Sequence, residues 1–255
     1  AKVLYPHIFR ERNGCKTVDE WRYFSCFARN RGVNACKGAG VYYERKLKKQ
    51  GYNLIIGVDE AGRGPLAGPV VAAAAALNTY SFKNRIDDSK KLTFKSREKA
   101  FLEIIDKSVF GVGIVNEKII DRINILQATR IAMREAVSSL IDKLTPPFVQ
   151  VKRLQRRAGL TSPKNIAIHI IVDGNITLDI GFPYTKIIKG DAKSKSIACA
   201  SILAKVTRDR IMRSYDKIYP GYGFIKHKGY PTKEHRDILK RLGPCLIHRK
   251  SFAGV

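Results

Sequence analysis

Residues 55–77 read IIGVDEAGRGPLAGPVVAAAAAL. Both ends carry the short apolar runs of buried strands, yet Asp59 and Glu60 sit side by side between them, followed by Gly62-Arg63-Gly64. Two adjacent acids carried into an apolar neighbourhood face a large desolvation cost, because water solvates an ionised carboxylate far better than protein does. The stretch itself predicts a strand over 54–59, a glycine-rich turn and a second strand over 69–77. Further along, Phe101, Ile104 and Ile105 recur at helical spacing, with Ser96 placed as the N-cap. A strand over 110–115 and a helix over 116–144, stopped ahead of Pro146-Pro147, come next. An apolar strand over 166–172 holds His169, read as a satisfied core histidine, and breaks at Asp173-Gly174. A strand over 185–188 and a helix over 194–213 complete the pattern. Strands interleaved with helices in this way argue an α/β fold around one sheet.

The chain has 255 residues, enough for one large domain or two small ones. Its 48 Lys and Arg against 22 Asp and Glu leave a net charge of +26. An excess of that size repels itself unless a polyanion is near, which puts nucleic acid first among partners and an anionic membrane surface second. No run reaches the roughly 18 apolar residues of a membrane helix, and the opening residues lack the apolar centre of a secretion signal. The expectation is a cytoplasmic protein without a membrane partner. Five cysteines, with no CxxC pair, read as reduced thiols. Residues 1–50 look basic and irregular. The segment 151–164, with Lys152, Arg153, Arg156, Arg157 and Lys164 and no acid, reads as an exposed basic loop.

Acids occur in three places that packing alone does not explain. Asp59-Glu60 ends the first strand, Asp173 ends the fourth, and Asp209 falls over Ala198, Ile202 and Val206 on a helical wheel, the apolar stripe of the 194–213 helix. Converging carboxylates repel one another and resist burial. Bound divalent cations remove both penalties, and hard oxygen ligands select Mg²⁺ or Mn²⁺. Two such ions about 3.5–4 Å apart can align attacking and leaving oxygens across a phosphodiester. Each acid also has a plain alternative: a solvated strand end, a simple Asp-Gly turn, or an ion pair between Asp209 and Lys205 four residues before it. The histidines are scattered and form no nucleophile–base pair.

The run GVDEAGRGPLAGPVVAAA resembles the signature of type 2 ribonuclease H, the ribonuclease HII family. The resemblance continues through DSKKL, VDGN, KGDAKSKSIACASILAKVTRDR and YPGYGFIKHKGYPTKEHRDILKRLGPCLIHRKSF, from about Tyr42 to Val255. It implies an RNase H-like α/β fold, a five-stranded mixed sheet flanked by helices with a small C-terminal helical part. The division it suggests is a basic extension over 1–41, a catalytic core over 42–213 and a helical substrate-binding part over 214–255. It implies that Asp59, Glu60, Asp173 and Asp209 hold two divalent cations, and that the enzyme cleaves the RNA strand of RNA–DNA hybrids. It also implies nicking of duplex DNA 5′ to an embedded ribonucleotide, leaving 3′-hydroxyl and 5′-phosphate ends. By the same resemblance Gly62, Arg63 and Gly64 sense the 2′-hydroxyl, Tyr230 stacks on the neighbouring deoxyribose, and Lys90, Lys91, Lys189, Lys193 and Lys195 meet phosphates. A monomer is expected. The alternatives are a related nuclease acting on DNA junctions and a catalytically inactive basic nucleic-acid-binding protein.

Overall fold

The computed structural model describes residues 38–144 and 167–255. The basic extension up to residue 37 and the basic segment 151–164 lie outside them. The sheet has the order β3-β2-β1-β4-β5. It is built from β1 (Leu54–Ala61), β2 (Val70–Leu77), β3 (Ser108–Val115), β4 (Ile168–Asp173) and β5 (Tyr184–Ile187). The first three strands form an antiparallel meander, while β4 and β5 run parallel to β1.

The alanine run in β2 explains how the sheet is covered on both sides. Alternate residues of a strand face opposite ways, so Ala72, Ala74 and Ala76 enter one core and Ala73 and Ala75 the other. On the first face packs α4 (Ile125–Leu144), through Ala128, Ala132, Met133, Ala136 and Leu140. The second is covered by α2 (Phe94–Lys107) and α6 (Lys195–Ile218), whose Phe101, Ile104, Ala198, Ile202 and Leu203 are fully buried. Small side chains let the helices approach closely. At Gly57 a Cβ would lie 2.2 Å from the carbonyl carbon of Ser196, so the start of α6 rests directly on β1.

Several boundaries differ from the sequence expectation. The 116–144 helix is two helices, α3 (Glu117–Ile123) and α4, because Asn124 takes φ +69° and turns its Oδ1 to accept from the N–H groups of Leu126 and Gln127. The cap of α2 is Thr93, whose Oγ1 accepts from the N–H of Ser96, not Ser96 itself. An additional helix, α1 (Tyr42–Lys49), occupies part of the stretch read as irregular. Its Glu44 is fully buried and accepts from Ser194 Oγ at 2.6 Å and Ser196 N–H at 2.9 Å, which ties α1 to the start of α6.

A one-turn helix, α5 (Gly190–Lys193), links β5 to α6, and α6 runs through residue 213 to Ile218. The remaining chain adds α7 (Phe224–His227) and α8 (Lys233–Leu242). It closes back on the glycine-rich turn after β1, with Ala67 bridged to His248 and Leu66 N–H donating to Gly229 O.

Candidate active site

The three parallel strands end at the same edge of the sheet, and each delivers an acid there. Pairing between β1 and β4 stops at Val58 and Val172, so Asp59 and Asp173 are the next residues on adjacent strands. Asp59 lies opposite Ala73, which places its side chain on the α6 face. Past the end of β5, Asp191 sits in α5, where Asp173 Oδ1 accepts from Gly190 N–H at 2.6 Å. Asp59, Asp173 and Asp191 thus bring one carboxylate oxygen each within 4.8 Å of one another. The carboxyl ends of parallel strands are where open α/β sheets place their ligands.

Electrostatics mark the same group. Burial, then the charges of Glu60 and Asp173, pushes the Asp59 carboxyl well above its usual range, with the hydrogen bond from Glu60 N–H working the other way. Burial also raises Glu60, against the pull of Arg63, and burial followed by Asp88 and Asp173 raises Asp191. Burial opposes the charge on Lys90, yet Asp88, Asp59, Asp191 and Asp173 hold it above the ordinary lysine value. A buried set of acids that repel one another, with a lysine leaning toward them, is chemically suited to a hard divalent cation.

Of the four acids expected from sequence, Asp59 and Asp173 come together, and Glu60 borders them closely enough to feel the Asp173 charge. Asp209 does not join the three-carboxylate group. It stands eight residues beyond Ser201 on α6, about 12 Å along the helix axis, and is ion-paired with Lys205 at 2.7 Å and with Arg97 at 4.0 Å. Asp191 is the acid that sequence reading missed. Its signal was an acid among lysines at a helix start, in KGDAKSK, and only the placement of α5 beside β4 distinguishes it from a solvated residue.

The strand does not turn at Asp59 and Glu60, as the sequence suggested, but continues to Ala61. Glu60 N–H donates to Asp59 Oδ1 at 2.7 Å, and Glu60 takes an ion pair from Arg63 at 3.3 Å. Arg63 itself is 46% exposed. Gly62 needs its φ of +99°, and a Cβ there would lie 2.2 Å from Arg208 Nε. Around Gly64 the nearest atom to an added Cβ is Tyr230 Cε1, at 4.0 Å. Tyr230, half-exposed, is overlain by Lys205 and Arg208 at 5.8 and 5.7 Å. The candidate sensor loop and the candidate stacking tyrosine are therefore neighbours. Among the lysines, Lys91 pairs with Asp87, Lys189 and Lys193 are exposed on either side of Asp191, and Lys195 donates to Tyr80 O at 3.2 Å.

The sequence profile of ribonuclease HII matches residues 56–255. The chain belongs to the ribonuclease HII family. It is 50% identical over 211 residues to ribonuclease HII of Acetivibrio thermocellus, covering 82% of this chain and 73% of that one. Ribonuclease HII of Caldicellulosiruptor bescii is 50% identical over 210 residues, which cover 82% and 91%. The fold is similar to that of ribonuclease H2 from Pyrococcus horikoshii, at a TM-score of 0.51 and 26% identity over 79% of this chain and 94% of that one. It is also similar to a chain in the complex of PCNA and ribonuclease HII from Archaeoglobus fulgidus, at 0.55 and 22%, covering 78% and 95%. As a ribonuclease HII the chain is a hydrolase, a metal-dependent endonuclease of the ribonuclease H type. No helix among the described residues is long and apolar enough to cross a membrane.

Proposed function

We propose that this ribonuclease HII hydrolyses the RNA strand of RNA–DNA hybrids and nicks duplex DNA on the 5′ side of an embedded ribonucleotide, leaving 3′-hydroxyl and 5′-phosphate ends. The observation that carries the reading is the meeting of Asp59, Asp173 and Asp191 at the strand ends, beside the Gly62–Gly64 turn and Tyr230. In this reading Asp59, Asp173 and Asp191 hold one divalent cation, Mg²⁺ or Mn²⁺. Glu60, once Arg63 releases it, serves a second, while Asp209 stays paired with Lys205 further along α6. Cations held there supply Lewis-acid stabilisation of charge on the scissile phosphate and a more acidic attacking water.

The remaining roles belong to the chain itself. Backbone groups of Gly62, Arg63 and Gly64 test for the 2′-hydroxyl, the one group that separates RNA from DNA. Arg63, exposed enough to leave Glu60, grips a phosphate, and the Tyr230 ring stacks on the next deoxyribose. Lys90 neutralises phosphate charge at the cluster, while Lys91, Lys189, Lys193 and Lys195 hold the strand further out. One chain supplies every one of these groups, which supports action as a monomer.

The test is a product map on an end-labelled DNA duplex with one ribonucleotide. A single nick on its 5′ side is expected, with a 3′ end that a polymerase extends, and none from Asp173→Asn. Cleavage confined to branched DNA would instead favour a junction nuclease, and no cleavage with any divalent cation a binding protein without catalysis.

A further inference from the structure

Ribose recognition, as proposed above, places demands on the loop between β1 and β2, and the structure meets them from behind. Arg249 is fully buried, and its five N–H groups go to backbone carbonyls rather than to a carboxylate. Nη2 donates to Gly62 O at 2.6 Å and to Gly68 O at 2.7 Å, Nη1 to Arg63 O at 3.1 Å and to Pro65 O at 2.8 Å, and Nε to Gly68 O at 2.9 Å. Arg208, also fully buried, takes Ala67 O, Pro69 O and Lys228 O, each at 3.0 Å. The turn therefore aims a ring of carbonyls inward at two guanidiniums.

The peptide bonds of this turn are trans, and in a planar trans peptide the C=O and the following N–H point in opposite directions. With the carbonyls of Gly62 and Arg63 fixed on Arg249, the N–H groups of Arg63 and Gly64 point away from it. Gly64 borders Tyr230 on that outer side. A lysine at 249 would have three donors on one point and would not span carbonyls spread over seven residues of chain. Successive N–H groups aimed one way, with two buried positive charges behind them, make a site for an electronegative ligand atom.

We infer that Arg249 is a positioning residue for ribose recognition: by binding the carbonyls of Gly62, Arg63, Pro65 and Gly68, it orients the peptide planes whose N–H groups meet the ribonucleotide. The inference rests on the reading of Gly62–Gly64 as the ribose sensor. It assigns to the C-terminal segment a part in substrate discrimination, not only in substrate holding.

The test compares wild type with Arg249→Lys and Arg249→Met. Affinities are measured with Ca²⁺ for a DNA duplex with one ribonucleotide and for its all-DNA counterpart, beside single-turnover cleavage, Mn²⁺ titration and thermal melting. The expected result is that Arg249→Lys loses at least fivefold of the ribonucleotide preference and tenfold of the cleavage rate. Its affinity for all-DNA duplex and for Mn²⁺ stays within twofold of wild type. Preference and rate within twofold of wild type overturn the inference, and so does an equal weakening toward both duplexes with a lowered melting temperature, which marks a purely structural arginine. A wild type without ribonucleotide preference defeats the sensor reading instead. Should neither variant fold, amide hydrogen exchange on the wild type decides. The N–H groups of Arg63 and Gly64 should exchange fast in the free protein and gain protection only from the ribonucleotide duplex. Slow exchange in the free protein, or equal protection by both duplexes, overturns the inference.

Discussion

Asp191 and Asp209 are both buried acids on neighbouring helices, but their surroundings differ. Asp191 faces other carboxylates and is pushed toward protonation, whereas Asp209 has Lys205 against it. A cation relieves the first and must compete with an ammonium for the second. Asp191→Asn is therefore expected to weaken binding of the first Mn²⁺ at least tenfold in calorimetric titration, and Asp209→Asn less than threefold. Asp59→Asn and Asp173→Asn should each reduce cleavage at least a hundredfold, since losing a ligand removes several kcal/mol of charge stabilisation. The two glycines of the turn make a sharper pair. Gly62→Ala meets Arg208 at a left-handed φ and should cost about 1 kcal/mol or more in stability. Gly64→Ala has space within the protein, so its melting temperature should hold while cleavage at a lone ribonucleotide falls about tenfold. Asp59, Glu60 and Asp173 were legible because they stand at the ends of apolar strand runs, where packing alone does not call for an acid. Arg208 and Arg249 were not, since in a chain with 48 basic residues nothing local distinguishes a buried guanidinium from one that meets phosphate.

Among the elements, α1 was hidden by its composition: YYERKLKK offers a single buried leucine, and its anchor is the carboxylate of Glu44. That carboxylate sits at the start of α6, where unpaired N–H groups favour an anion. Glu44→Gln keeps the size and loses the charge, so a loss of about 1–2 kcal/mol is expected, read as a lower urea midpoint. The break at Asn124 shows why apolar periodicity alone joined α3 to α4: the hydrophobic pattern runs through, and only the side-chain cap ends one helix and begins the next. The C-terminal part gathers three histidines, with His227 and His235 stacked at 4.2 Å and the Nε2 atoms of His235 and His248 3.0 Å apart. Burial, then His235, lowers His248 to about 4, and burial also lowers His227 and His235. The unfolded chain, with histidines at their ordinary value of about 6.5, takes up protons first. This stabilisation is thus complete above pH 6.5 and lost as pH falls toward 4. Melting temperature should drop by about 5 °C over that window, and His248→Gln should flatten the decline.

For the molecule as a whole, the charge of +26 anticipates binding governed by the phosphate backbone. Changing Lys152, Arg153, Arg156 and Arg157 together to Ser should weaken affinity for every duplex alike. The slope of log K against log salt should become shallower by about 0.9 for each phosphate that these side chains neutralise in the wild type, with single-turnover cleavage at saturating enzyme unchanged. An unchanged slope would assign that segment another task. The α/β class and the order of strands along the chain were readable from hydrophobic runs and turn residues. The strand order in space was not, because nothing in the local pattern of β1 announces that β4 is its partner. That pairing joins Asn53 to Ala167 across 114 residues, whereas β1 and β2 are joined by the eight residues 62–69 and β2 and β3 by the thirty residues 78–107, which include α2. Closing the long loop carries the larger entropy cost. The meander should accordingly form early as the chain leaves the ribosome, and the carboxylate cluster only after β4, β5 and α5 have been synthesised and docked. A half-made chain would then already carry Asp59, Glu60 and the glycine turn, yet be unable to cut a ribonucleotide-bearing duplex until its last strands are made.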